Sequence, residues 1–256
     1  MQGALTQLHV VHALLLRETK TRFGVDRLGY LWAIIEPALW IGTFAAFYAS
    51  YGHLTTPGIN IVAFITAGIV PFALFRDTSA RCMSAISANT GLLFYPQVRP
   101  LDLVIARAIL EFVTHVIVLG LFMGGISLWE GTASIGSFLE TLGGLTLAAG
   151  LGASFGLLCC TLSVYSTNVE RLLPTILRPL IWFSAVFHPV DTVPKGYRDI
   201  LLYNPLVHAI ELVRDGWFPS YHARNIDPWY PMLCILVMLF LGLTLERSSR
   251  RHLEVG

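Results

Sequence analysis

The sequence predicts an all-α polytopic membrane protein. It has six transmembrane helices, an amphipathic helix ahead of them, and re-entrant or interfacial helices between spans five and six. Three observations carry that prediction. Of the 256 residues, 55 % are apolar and only 13 % charged, with a mean hydropathy of +0.65. A soluble domain usually carries about 25 % charged residues, so this chain cannot cover a globule with charge. Apolar runs recur at about the 20-residue length that a helix needs to cross a ~30 Å hydrocarbon core. Lys and Arg gather in alternate links between those runs. The same composition excludes a disordered chain. A net charge of +1 with no basic run argues against nucleic acid as a partner.

Residues 1–27 mix Leu and Val with His9, His12, Arg17, Glu18, Lys20, Arg22, Asp26 and Arg27. A secretory leader would place its charge first and then a short apolar stretch, so none is expected. Leu5, Leu8, Val11, Leu15 and Thr19 fall on one helical stripe, and Glu18 and Arg22 form an i,i+4 pair. The segment reads as an interface helix on the cytoplasmic face, or as a plain surface helix.

The spans are read at 28–51, 59–76, 103–129, 138–165, 173–188 and 229–245. Spans one to five thus occupy 28–188, with a cytoplasmic link near 77–102. An outer segment at 189–228 precedes span six at 229–245, and the tail is 246–256. The fifth span contains Arg178-Pro179 and is expected to be broken or tilted.

Arg17, Lys20, Arg22 and Arg27 precede span one. Arg76, Arg81 and Arg99 follow span two, Arg171 follows span four, and Arg247, Arg250 and Arg251 lie in the tail. Links 52–58 and 130–137 hold no Lys or Arg. By the positive-inside rule both termini face the cytoplasm. The outer segment is a partial exception, with Lys195, Arg198, Arg214 and Arg224. Pro189, Pro194, Pro205 and Pro219 divide it, and Leu206, Ile210 and Val213 make an apolar stripe. That pattern predicts helices capping the outer mouth.

Several polar and aromatic residues lie at membrane depth. Glu36 stands about two turns into span one, before Pro37, where a carboxylate needs a partner such as Arg76 or Arg81, or water. Arg107, Glu111 and His115 share one face of span three, for a polar cavity or for bonding between helices. Trp40, Phe44, Phe47 and Tyr51 share one face of span one, with Tyr30 and Trp32 at its boundary. Such a stripe serves lipid contact and packing, or a pathway wall on which the C–H faces of sugars stack.

Gly152-Ala153-Ser154-Phe155-Gly156 matches GxSxG, but that chemistry needs a strand-to-helix turn, and this motif lies in a long apolar helix. The same residues spell GxxxG, which permits close helix packing, and Gly120 and Gly124 repeat the spacing. A serine hydrolase using Ser154 with His115, His188 or His208 is the enzyme-class rival, and a passive channel is a third option. Cys82, Cys159, Cys160 and Cys234 form no metal-ligand spacing and read as free, apolar side chains. There is no phosphate-loop motif. No catalytic residue, metal ligand or cofactor site is therefore assigned to this chain.

The run Arg17-Glu18-Thr19-Lys20-Thr21-Arg22-Phe23-Gly24, then Arg27-Leu28-Gly29-Tyr30-Leu31-Trp32-Ala33 and Glu36-Pro37, resembles the start of a particular permease family. Further matches follow in order: Asn89, Gly91-Leu92, Val98-Arg99-Pro100-Leu101-Asp102, Ala106-Arg107, Leu173-Pro174, Arg178-Pro179-Leu180, Pro189, Pro194-Lys195 and Asn204-Pro205-Leu206-Val207-His208. The family is the permease subunit of capsular-polysaccharide ABC exporters, the type-2 ABC exporter permeases, and the resemblance spans about residues 10–245.

The resemblance implies a homodimer paired with two copies of a separate ABC ATPase, on which ATP and Mg would be bound. It implies a bacterial inner-membrane location. The cargo would be a lipid-linked acidic polysaccharide, passed on to a periplasmic co-polymerase-like adaptor and an outer-membrane channel. ATPase coupling would then fall on Arg17, Lys20, Arg22, Thr90, Leu92, Leu93, Phe94, Tyr95 and Val98. The pathway would be lined by Tyr30, Trp32, Glu36, Trp40, Phe44, Phe47, Tyr51, Arg76, Arg81 and Arg107. A permease for O-antigen or another lipid-linked polymer is the alternative within the class.

Overall fold

The fold is taken from a computed structural model that describes residues 2–23, 29–51, 58–92, 97–130, 135–166 and 168–253. All the regular structure among them is helical. The helices are α1 (Gln2–Phe23), α2 (Gly29–Tyr51), α3 (Ile61–Met83), α4 (Pro100–Glu130), α5 (Phe138–Tyr165), α6 (Asn168–Leu180), α7 (Lys195–Leu202), α8 (Pro205–Trp217) and α9 (Trp229–Leu253). Short 3₁₀ turns lie at Ser87–Leu92, Ile181–Phe183 and Val190–Thr192.

Side chains fix several helix starts by satisfying amide groups that have no partner within the helix. The Asn60 side-chain oxygen accepts from the amides of Val62 at 2.6 Å and Ala63 at 3.3 Å, opening α3. Ser137 accepts from the Glu140 amide at 3.3 Å to open α5. Asn204 accepts from the Leu206 amide at 3.0 Å, and Pro205 supplies a first residue that needs no hydrogen-bond acceptor for its nitrogen.

Helix α3 is the centre of the bundle, with 78 % of its span buried against 11 % for α2 and 17 % for α9. Small residues let α5 lie directly on it. A Cβ added at Gly152 would meet the Phe75 carbonyl oxygen at 2.8 Å, and one at Gly156 would meet the Cys82 Cβ at 2.5 Å. Those glycines are required by close approach, as the GxxxG spacing predicts. Gly120 and Gly124 differ, because nothing lies within 4 Å of an added Cβ at either. Their spacing is not used for packing within this chain.

The contacts also fix direction. Gly152 meets Phe75 and Gly156 meets Ser79, so α3 and α5 run parallel. Gly150 meets Ile235 and Gly242 meets Leu157, so α9 runs parallel to both. Helix α4 runs opposite to α3, since Val104 meets Cys82 and His115 meets Asp77.

Among the described residues five helices are long and apolar enough to cross a membrane: α2, α3, α4, α5 and α9. The fifth predicted span, 173–188, is not among them. Helix α6 has 13 residues, or roughly 20 Å of length, and carries Pro174 and Pro179. It returns from the end of α5 toward the start of α3, loosens into the 3₁₀ turn Ile181–Phe183, and reverses at Ala185. Two helices also run past their predicted ends. The second predicted span stops at residue 76, yet α3 continues to Met83, because Arg76, Asp77 and Arg81 find partners instead of water. Likewise α9 continues beyond 245 to Leu253.

The reversal is held by one arginine. Ala185 has φ 51°, the left-handed region, which costs a non-glycine residue roughly 1–2 kcal/mol. Arg214, on α8 and fully buried, donates from Nη1 to the Ala185 carbonyl at 2.8 Å and from Nη2 to the Val186 carbonyl at 2.5 Å. Its guanidinium lies 3.9 Å over the Phe64 ring of α3. Glu211 balances the charge at 2.8 Å, and its other oxygen accepts from the Tyr221 hydroxyl at 2.6 Å. Gly68 leaves the space: an added Cβ would lie 2.5 Å from the Val186 carbonyl oxygen and 2.6 Å from Arg214 Nη2.

The amphipathic helix predicted in the outer segment is α8. Leu206, Ile210 and Val213 are buried against α3 and α5, so it is a packed element and not a free loop. His208 ties it down, with Nδ1 accepting from the Asp227 amide at 3.0 Å and Nε2 placed 3.0 Å from the Leu202 carbonyl.

Replacing Arg214 by Met leaves Glu211 buried without its cation, an error worth about 3–5 kcal/mol. Tyr221→Phe removes one charge-assisted hydrogen bond and costs about 1.5–3 kcal/mol. Thermal unfolding in detergent is expected to rank them in that order, with Arg214→Met the lower midpoint. Equal midpoints for wild type and Arg214→Met would contradict the anchoring role.

Candidate functional site

A cavity of about 1160 Å³ opens between α2, α3, α4 and α6. Its walls are apolar at Ile69, Phe72, Ala73, Leu177 and Ile181 and polar at Glu36, Arg76, Asp77, Arg81, Ser84, Thr114, His115 and Arg178. Charged walls of that kind need internal compensation at membrane depth. The side chains supply it as a chain of pairs. Arg76 Nη2 lies 2.8 Å from Glu36 of α2, and Arg76 Nε lies 2.8 Å from Asp77. The other Asp77 oxygen lies 3.4 Å from His115 Nε2 on α4. His115 Nδ1 lies 3.7 Å from Glu111 one turn away. Glu111, fully buried behind the wall, meets Arg81 Nε at 2.5 Å.

The chain of pairs continues to α1. Arg107 donates from Nη1 to the Arg81 carbonyl at 2.6 Å and to Ser84 Oγ at 3.1 Å. Its Nε lies 3.0 Å from Glu18. Arg17 donates to Asn89 at 2.8 Å, and Gln7 donates to Asp102 at 2.5 Å. Helix α1 is therefore docked on α4 and the link before it by polar contacts at three levels. Around them pack Val10, Leu14, Leu15, Leu103 and Val104.

Asp77, Glu111 and His115 place ligand atoms within 4.8 Å of one another, the spacing of a cation site. Each carboxylate already faces an arginine, Asp77 with Arg76 and Glu111 with Arg81. The donor set is thus neutralised by the protein itself and does not call for a metal.

The structure sorts the sequence-predicted site residues. Trp32, Glu36, Trp40, Arg76 and Arg81 line the cavity. Phe44 does not: its ring packs 4.1 Å from Phe187 and 6.0 Å from Trp182. Phe47 faces outward, half-exposed, edge-on to Tyr48. The aromatic face runs the length of α2, but the reversed turn after α6 caps the cavity at the level of Phe44. Arg107 lies behind the wall, buried, and binds Glu18. The side chains of Tyr30, Tyr51, Arg22 and Thr90, and residues Leu93, Phe94 and Tyr95, lie outside the described residues.

Among the expected coupling residues, Arg17 and Lys20 are exposed on α1. Leu92 and Val98 are not free anchors, because both pack into the cluster formed by Leu14, Cys82 and Leu103. Among the described residues the link holds a short 3₁₀ helix at Ser87–Leu92, which takes in the expected coupling residue Leu92. The buried stripe of α1 also differs from the expected one: Leu14 is buried, while Leu8 is 67 % exposed. Gln7 and Glu18 decide that rotation, since both reach α4. Sequence reasoning missed Glu18, Asp77 and the Arg214 cluster as partners. The depth of Asp77 in an apolar helix was a usable signal; the other pairings carry none.

Ser154 is buried, and its hydroxyl donates to the Leu151 carbonyl of its own helix at 3.1 Å. The two glycines beside it serve the contact with α3. The GxSxG pattern is thus a packing motif here. All four cysteines are free. At Tyr221, outside the spans, burial and the neighbouring Glu211 carboxylate push the phenol well above its ordinary range, so it stays a donor.

The fold and site are those of a helical membrane protein with a charge-compensated cavity beneath a short, proline-interrupted helix. The chain belongs to the ABC-2 type transporter family, whose model matches residues 9–218. It is 37 % identical to the polysialic acid transport protein KpsM of Escherichia coli, over 96 % of this chain and 95 % of that protein. It is 30 % identical to the capsule polysaccharide export inner-membrane protein CtrC of Neisseria meningitidis, over 99 % of this chain and 96 % of that one. It is 26 % identical to the corresponding BexB of Haemophilus influenzae, over 99 % of this chain and 96 % of that one.

Removing the Glu18 carboxylate by Glu18→Gln leaves Arg107 without its anion and weakens the docking of α1. Limited trypsin digestion of the detergent-solubilised protein is expected to cut at Lys20 faster in the variant than in wild type. Unchanged cleavage would show that the Glu18–Arg107 pair does not hold α1 in place.

Proposed function

We propose that the chain is the permease subunit of an ATP-driven exporter that moves lipid-linked capsular polysaccharide from the cytoplasm to the periplasm. The observation that carries the proposal is the cavity between α2, α3, α4 and α6, with Trp32 and Trp40 beside Arg76 and Arg81, in a chain similar along nearly its whole length to capsule-export proteins. Aromatic faces suit the C–H faces of sugars, and arginines suit their acidic groups. Two copies of the chain pair with two copies of a separate ATPase, which binds ATP and Mg. Both termini lie in the cytoplasm, as the Lys and Arg distribution favours.

Helix α1 and the link 84–99 rest against the ATPase in this account. Arg17 and Lys20 are exposed there, and the Glu18–Arg107 pair joins α1 to the helix that carries Glu111 and His115. A shift of α1 thereby reaches the cavity wall through paired charges. A periplasmic adaptor and an outer-membrane channel receive the polymer. Export of O-antigen, another lipid-linked polymer, is the alternative in the same class. The genes beside this one separate the two, through capsule export genes or O-antigen synthesis genes.

Co-expression with the ATPase encoded nearby, purification in detergent and mass determination are expected to give a two-plus-two complex. A permease that never retains an ATPase in several detergents would overturn the proposal in favour of a passive channel. In the same strain Ser154→Ala is expected to leave surface polymer unchanged, and its abolition would revive the hydrolase reading.

A further inference from the structure

The ionic chain in the cavity has a fixed half and an exchangeable half. Glu111 is fully buried, and Arg107 nearly so, and together they hold Arg81 from behind the wall. Glu36 is different. Its side chain is 46 % exposed, and its single polar partner among the described residues is Arg76, itself 26 % exposed. A pair of that exposure is weak and exchanges with solvent ions. Asp77 is not exchangeable in this way, because it shares a helix with Arg76 and also meets His115.

Two neighbours give the exchange a direction. Trp32 and Trp40 stand one turn either side of Glu36 on the same face of α2, and both line the cavity. Arg178, on α6 across the cavity, makes no ion pair among the described residues. The wall therefore offers an aromatic platform, Arg76 held by a half-exposed carboxylate, Arg81 held by a buried one, and Arg178 without an ion pair among the described residues.

We infer that Glu36 is a built-in competitor. It occupies Arg76 until an anionic group on a saccharide ligand, a carboxylate or a phosphate, displaces it and sits between Arg76 and Arg178 with its sugar ring against the tryptophans. The inference rests on the exporter reading, acidic cargo included, and adds to it the residue that sets the cavity's affinity. A competitor of this kind keeps binding weak enough for release, which a polymer that slides through a pathway needs. It also predicts the unusual sign that removing a cavity carboxylate tightens binding.

The test is equilibrium binding to the full-length chain in lipid nanodiscs. Three probes are used: a fluorescent oligosialic acid, a neutral maltooligosaccharide of equal length, and a short-chain phosphatidic acid. Glu36→Gln is expected to bind the acidic oligosaccharide roughly two- to fivefold more tightly than wild type, the range of an exposed ion pair. Arg76→Gln is expected to bind it about tenfold more weakly, with Arg178→Gln weaker in the same direction. The neutral oligosaccharide is expected to show neither effect. Tightening confined to the phosphatidic acid would also support the competitor and assign the anion to a lipid phosphate. Weaker or unchanged binding of both acidic probes by Glu36→Gln would overturn it, and Arg178→Gln reports on the same site should Glu36→Gln fail to fold. Surface polymer in a deletion strain complemented with wild type is scored separately. Its absence overturns the exporter reading, whereas normal export with no change in probe binding overturns only the competitor.

Discussion

The bundle depends on one buried contact, the guanidinium of Arg214 against the carbonyls of Ala185 and Val186. A helix that stops partway through an apolar bundle exposes carbonyls with no water to bond them. Ser184 donates to the Leu180 carbonyl and Asn204 to that of Phe183 at the helix end, and Arg214 holds the reversal just beyond it; Glu211 neutralises the arginine, Tyr221 completes Glu211, and Phe64 covers the cation's face. With those groups in place α6 can end early. The turn that follows places Phe187 against Phe44 and Trp182 beside it, which caps the cavity. Take the arginine away and the reversed turn at Ala185 and Val186 loses its buried donor. The cavity below it then loses its roof.

Beneath that roof the electrostatics are those of a system that carries its own counterions. Arg76, Arg81 and Arg107 each face a carboxylate, and the pairs link α1, α2, α3 and α4. The arrangement reconciles charge with membrane depth, and it also ties the interface helix α1 mechanically to the cavity wall. The two ends of the chain differ in exposure. At one end the carboxylate, Glu111, is sealed while its partner Arg81 faces the cavity, whereas at the other the carboxylate, Glu36, is itself half-exposed. One end therefore serves as a fixed strut and the other as a surface that a charged ligand can contest.

Much of this was legible in the sequence, and the reasons it was not legible elsewhere are physical. Helix α5 was read with both bounds, because Ser137 and a continuous apolar run define it. That Glu36 needs an arginine such as Arg76 or Arg81, or water, followed from the cost of a carboxylate at that depth, and the structure gives it Arg76. The apolar stripe Leu206, Ile210 and Val213 correctly placed α8 as a packed helix. The break of the fifth span followed from its prolines, although its length did not, since the reversal that follows is fixed by Arg214, far along the chain. Arg214 itself was counted as an exception to the charge rule; its true role depends on carbonyls 26 to 29 positions away. The buried face of α1 was misjudged for the same reason. An apolar stripe ranks the faces of a helix, but Gln7 and Glu18 choose among them by partners on α4. Phe44 and Phe47 show the limit of a helical face as a guide to a pathway. Residues on one face at different depths meet different neighbours.

The central claim, that Arg214 holds the turn that roofs the cavity, is tested most directly by site-specific labelling. A single cysteine is placed at Ala80, on the cavity wall, in a chain whose four native cysteines are replaced by alanine. A membrane-impermeant maleimide is then applied to vesicles of each orientation. The account predicts labelling from one face of the membrane in the Arg214 background and from both faces once Arg214 is replaced by Met. Labelling from both faces with Arg214 intact would contradict it.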